Sequence, residues 1–81
     1  MTLTIKEIQN ICCAEFGISL KDMLGKDRKR RVSWPRMAAM HLCRELTNSS
    51  FKVIGRHFGG RDHTTVIHAV NAIDILMNRN Q

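Results

Sequence analysis

Asp62, His63, Thr64, Thr65 and His68 fall within two helical turns directly after a Gly59-Gly60 pair. A threonine offers a hydroxyl that donates or accepts and a methyl that packs on thymine, and a histidine ring donates or accepts. A carboxylate accepts from a cytosine amino group. The run therefore suits hydrogen bonding to base edges or phosphates. It does not suit catalysis, because no nucleophile, base and orienting group occur together, and Asp62 beside His63 is better explained by helix capping and contact. A second group is electrostatic. Residues 26–36 hold Lys26, Arg28, Lys29, Arg30, Arg31 and Arg36 against Asp27 alone, a net +5, while the other 70 residues carry +1 of the total +6. Such concentration is the footprint expected for a polyanion. The bland alternative is a solvated charge run, and an anionic membrane fits less well, since only Trp34 offers a lipid-facing partner.

Other chemistries find little support. Cys12, Cys13 and Cys43 are three thiols with no CxxC spacing, and His63 and His68 are five residues apart, the wrong interval to share a metal on one helix face. No metal or cofactor is expected, and the thiols should pack as small apolar side chains. No GxxxxGK[ST] loop is present to cradle nucleotide phosphates. The first residues lack signal-peptide architecture and no apolar run could span a bilayer, so a cytoplasmic protein without membrane insertion is expected. At 81 residues, with 43% hydrophobic and 25% charged residues, the chain is sized and composed as one folded domain over 1–81.

The elements that must position these groups read as helices throughout. Thr4 through Glu7 spells a capping box, followed by Ile5, Ile8, Ile11, Cys12 and Phe16 at helical spacing and by Gly17 as a stop. Ser19 caps a short helix bearing Leu20, Met23 and Leu24, with Gly25 ending it. A basic loop over 26–33 follows. Pro35 suits the first turn of a third helix that runs to about Leu46 and buries Ala38, Ala39, Leu42, Cys43 and Leu46. Thr47 to Ser50 form a polar break, and Phe51, Ile54 and Phe58 make the inner face of another short helix. Asp62 caps the last helix, where Val66, Val70, Ile73 and Met77 recur on one side. Two helices around a glycine turn over about 51–79 make a helix-turn-helix, whose second helix presents His63, Thr64, Thr65 and His68 to a major groove.

The run Phe58-Gly59-Gly60-Arg61-Asp62-His63-Thr64-Thr65-Val66-Ile67-His68-Ala69 closely resembles the signature of the C-terminal DNA-binding domain of DnaA, the bacterial chromosomal replication initiator. The likeness extends to Arg44-Glu45-Leu46-Thr47, to the basic loop with Pro35-Arg36, and to the opening helix with Ile5 and Ile8. It implies an all-α, five-helix, Trp-repressor-like fold and recognition of asymmetric DnaA boxes similar to TTATNCACA. By that resemblance Asp62, His63, Thr64 and Thr65 read the major groove and Arg28 the adjacent minor groove. Arg36, Arg44, Phe51 and Lys52 match positions that touch backbone or flanking bases, and Arg61 takes a structural or phosphate role. Lys26, Lys29, Arg30 and Arg31 add phosphate charge. The resemblance also implies double-stranded DNA as partner, with DnaA or other replication proteins as further ones. A monomer at the nucleoid is expected, because the sites have no two-fold symmetry.

This chain departs from the family pattern at several positions. Met37 replaces a usual glutamine, Trp34 an arginine, and Lys52 a proline. Asn71 and Ala72 replace basic residues. Lys52 should add a phosphate contact and Met37 should remove one. Two settings fit: an excised domain of a full initiator, or a short free-standing protein beginning at Met1, which the departures favour. The rival function is a stand-alone transcriptional regulator or protein-interaction module of the same fold with altered or lost box specificity.

Overall fold

Thr4 opens the first helix as its composition demands. Its hydroxyl accepts from the Glu7 N–H and the Glu7 carboxylate accepts from the Thr4 N–H, which satisfies two of the donors that every helix start leaves unpaired. The computed structural model describes residues 3–78. It contains five helices: α1 (Ile5–Phe16), α2 (Leu20–Leu24), α3 (Arg30–Thr47), α4 (Phe51–His57) and α5 (His63–Asn78). No strand occurs among the described residues. The sequence boundary at 79 lies outside them. Gly17 ends α1 in the left-handed region, and the Ser19 hydroxyl caps α2 through the Asp22 N–H.

The third helix departs from expectation. It begins at Arg30, so Arg30, Arg31, Val32 and Ser33 are helical, the basic loop shrinks to residues 25–29, and Pro35 lies inside the helix. A proline there removes the bond that would end on the Arg31 carbonyl. The reason the helix nevertheless starts early is burial: Val32 is fully enclosed in the core, worth roughly 1.5–3 kcal/mol. Lys29 lacks a side chain that can cap, and the Asp27 carboxylate accepts from the Lys29 N–H instead. Nothing in the composition marks that start.

Helices α3 and α5 form the central pair, with α1 and α4 packed against them. The core is built from Ile5, Ile8, Met23, Val32, Met40, Ile54, Phe58, Val66 and Val70. Several residues expected inside are exposed: Ile11, Phe16, Leu42, Leu46 and Met77. On α3 the buried stripe runs along Val32, Pro35, Arg36, Ala39, Met40 and Cys43. Cys12 and Cys43 are buried and Cys13 half-buried, all as free thiols. Burial pushes the Cys43 thiol up to about 12, so it packs as a neutral apolar group.

Two polar links join helices across the core. Gln9 on α1 donates to the His57 carbonyl at the end of α4 (2.8 Å). His41 Nε2 on α3 lies 2.8 Å from the Asp74 carboxylate on α5, with Glu45 at 3.9 Å.

Candidate nucleic-acid interface

The turn between α4 and α5 is shaped by glycines. Gly59 and Gly60 have φ of +77° and +74°, a region that side chains with a Cβ rarely occupy. A Cβ on Gly59 would also collide with the Leu24 carbonyl, and one on Gly55 with the Arg61 carbonyl. The Gly55 carbonyl accepts from the Arg61 N–H at 2.8 Å, which ties the turn back onto α4. Gly55 was not singled out in the sequence, where a glycine inside a helical pattern carries no sign of what approaches it.

α5 then begins at His63. The Asp62 backbone carbonyl accepts from the Thr65 and Val66 N–H groups. Its carboxylate is directed to the ring instead of capping the helix, 2.9 Å from His63 Nδ1. That contact restrains the ring through Nδ1 and leaves Nε2 outside the pair. Asp62, His63, Thr64, Thr65 and His68 are all exposed. No fold-level need holds them outward, since α5 buries Val66, Ala69, Val70 and Ile73 on its other side.

A groove of about 720 Å³ runs between α5, α3 and the basic loop. Thr65, His68 and Ala72 form one wall, Ser33, Met37 and Met40 another, and Lys26 and Arg28 close the rim. The structure thus brings Lys26 and Arg28 opposite Thr65 and His68. Asp62, His63 and Thr64 do not line this groove; they occupy the exposed first turn of α5 above it. Ser33 and Met40 are additions to the expected set. With Met37 they recur at i, i+4 and i+7 on α3, a spacing visible only once the helix starts at Arg30.

The basic residues divide into two populations. Lys26, Arg28, Lys29, Arg30, Arg31 and Lys52 are exposed. Arg30 lies over the Trp34 ring, 5.2 Å from its centre, and Arg31 is 3.8 Å from the Asp22 carboxylate, an exposed pair of small energetic weight. Lys29, Arg30 and Arg31 crowd the N-terminal end of α3, where the helix dipole is already positive, so each adds to a local field that favours phosphate. Arg44 and Phe51 come together at the α3–α4 corner, the guanidinium 4.4 Å from the ring centre. One Arg44 nitrogen donates to the Ser49 carbonyl at 2.7 Å, leaving the rest of the fork available.

Arg36 and Arg61 differ. Arg36, expected at a phosphate, is 6% exposed, and its three guanidinium nitrogens donate to the carbonyls of Met23 (2.9 Å), Asp27 (2.9 Å) and Asp22 (2.7 Å). It lies one turn after Val32 on the α3 face turned toward the loop, and three of its five N–H donors are spent on these carbonyls. Its burial and these three bonds favour a structural role over the phosphate contact expected of it. Arg61 donates to Phe58 (2.5 Å), Leu24 (3.4 Å) and Gly25 carbonyls, the structural half of its expected role. Burial lowers both guanidinium pKa values; the Asp27 and Asp22 carboxylates oppose this for Arg36, while Arg36 itself reinforces it for Arg61.

Among the described residues, His41, Glu45 and Asp74 are the group whose ligand atoms converge within 4.8 Å. The close His41–Asp74 contact accounts for that convergence as an interhelical hydrogen bond. No helix among the described residues is long and apolar enough to cross a membrane.

Comparison with known proteins agrees with the sequence resemblance. Residues 5–73 match the model of the bacterial DnaA protein helix-turn-helix family. The chain is 47% identical over 72 residues to the chromosomal replication initiator protein DnaA of Chlorobaculum tepidum, a span of 89% of this chain and 15% of that protein. It is 51% identical over 74 residues to that of Sphingopyxis alaskensis, covering 91% of this chain and 16% of the relative. With the Levilactobacillus brevis protein it shares 52% over 71 residues, 88% of this chain and 16% of the relative. The chain thus spans about one-sixth of the length of the curated relatives it matches. The all-helical fold, the Gly59-Gly60 turn and these matches place the chain in the bacterial DnaA helix-turn-helix family.

Proposed function

We propose that the chain binds double-stranded DNA sequence-specifically at DnaA-box-like sites, acting in replication initiation or its regulation. The observation that carries this reading is the groove in which Lys26 and Arg28 stand opposite Thr65 and His68. One wall can enter a major groove while the rim reaches the neighbouring minor groove. Asp62, His63, Thr64 and Thr65 supply base contacts and Arg28 the minor-groove contact. Lys26, Lys29, Arg30, Arg31, Arg44 and Lys52 supply phosphate charge, which sets register and most of the affinity. The chain acts as a binding module without catalysis or cofactor, as a monomer, and DnaA or other replication proteins are its candidate protein partners.

Fluorescence anisotropy with a labelled TTATNCACA-type duplex and a scrambled duplex, each at two salt concentrations, tests this. Binding to the box should be at least ~10-fold tighter. With roughly six phosphates neutralised, log affinity should fall against log salt with a slope of about −5. Equal binding to both duplexes would sink the box reading. It would favour the alternative of a transcriptional regulator or protein-interaction module with lost specificity, for which the apolar Met37 in the groove wall is the supporting observation.

A further inference from the structure

Five of the six carbonyls from Asp22 to Asp27 accept hydrogen bonds from just two side chains, Arg36 and Arg61. These carbonyls include the C-terminal ones of α2, a helix of five residues that is too short to hold itself together. Of its last carbonyls, Asp22's accepts a long backbone bond from the Gly25 N–H (3.3 Å) and those of Met23 and Leu24 have no backbone donor; cations are favoured at that pole. The two arginines reach it from different elements. Arg36 comes from α3 and holds Asp22, Met23 and Asp27; Arg61 comes from the helix-turn-helix turn and holds Leu24 and Gly25. A third Arg61 bond, to the Phe58 carbonyl, anchors its own base at 2.5 Å. Gly59 adds to this junction, because only the absence of a Cβ lets the turn sit against the Leu24 carbonyl.

We propose that Arg61 is a positioning residue: its fork ties the start of the basic loop to the turn before α5, and so fixes Arg28 relative to Thr65 and His68. This rests on the reading that Arg28 and α5 contact one DNA site. On this account Arg61 touches no phosphate, although it stands inside the run that carries the base-reading residues. Arg36 holds the same segment to α3, so the loop is registered against both walls of the groove. The neighbouring guanidiniums repel one another, and the shared cradle of carbonyl dipoles offsets that repulsion.

Two substitutions separate positioning from phosphate contact. Arg61→Lys keeps the charge but loses the planar fork, so a positioning role predicts at least ~10-fold weaker binding to the box duplex with scrambled-duplex binding within ~2-fold. Near-unchanged box affinity in Arg61→Lys would overturn the proposal. Arg61→Met should leave the salt slope unchanged; a slope shallower by about 0.9 would mark a phosphate contact and overturn it too. In an Arg28→Ala background, Arg61→Lys should cost less than ~2-fold more, whereas a full additive loss would show that Arg61 does not act through the loop.

Circular dichroism establishes that each variant is folded. Should they unfold, the unmutated chain decides through the NMR signals of the Arg61 guanidinium during titration with duplex. Signals that hold their positions while those of Arg28 shift uphold the clamp; equal shifts overturn it. If the unmutated chain fails to distinguish the two duplexes, the box reading falls, and the same guanidinium signals still decide the clamp.

Discussion

Residues 25–29 and residues 58–62 are connections of equal length that meet beside the same groove. The turn at 58–62 carries its shape in its own backbone: two positive-φ glycines and a bond back to the Gly55 carbonyl. The loop at 25–29 has no positive-φ residue, and its own N–H groups contribute a long bond from Gly25 to the Asp22 carbonyl and one from Lys29 to the Asp27 carboxylate. The rest of its shape is imposed from outside by Arg36 and Arg61. A turn written in local chemistry can be found in a sequence. A loop held by side chains that arrive from 9 to 37 residues away cannot. The contrast also has a functional side, because the self-shaped turn leads into the helix that presents Thr65, while the externally held loop presents Arg28.

The largest effect that bears on this contrast is expected at Gly59. Gly59→Val meets both an unfavourable φ and the Leu24 carbonyl, and should destabilise the chain by about 3 kcal/mol in urea denaturation. A loss below about 1 kcal/mol would mean that the turn is not the rigid partner. Next, Arg36→Met removes the side-chain donor of the Asp22, Met23 and Asp27 carbonyls and should cost about 2–3 kcal/mol by the same measurement. Arg28→Ala should do the reverse: stability within about 0.5 kcal/mol of the unmutated chain, with box affinity reduced about 10- to 100-fold. If Arg28 and Arg36 gave the same pattern, the division between exposed readers and buried holders would fail. Thr65→Ala should weaken box binding about 5-fold and leave the scrambled duplex unaffected, as anisotropy will show. The smallest change is expected from Arg30→Ala, a loss of about 2- to 3-fold on both duplexes and a salt slope shallower by about 0.9.

Much of the fold was legible because its stops and starts are local. The Thr4 capping box, Gly17, Ser19 and the Gly59-Gly60 pair each act on the backbone within a few residues, and the structure shows each in place. The start of α3 was not legible. Pro35 is a strong signal for a first helical turn, but the burial of Val32 outweighs it, and burial depends on partners far along the chain. The apolar stripe on α3 was misplaced too: Leu42 and Leu46 are exposed and Arg36 is inside. At the candidate site, the exposed set from Asp62 to His68 stood out as polar residues at the start of a helix. Arg36 did not, because composition shows that a cation is present but not which way it points.

The cations gathered at the first turn of α3 give the folded chain and its complex opposite responses to salt. Lys29, Arg30 and Arg31 repel one another and the positive pole they sit on, an energy stored in the free protein alongside its net charge of +6. Added ions screen that repulsion, so the melting temperature should climb with ionic strength. The same ions compete for the phosphates those residues would otherwise neutralise, so affinity for a duplex should fall. A condition chosen to steady the isolated chain is therefore the one that loosens its hold on DNA.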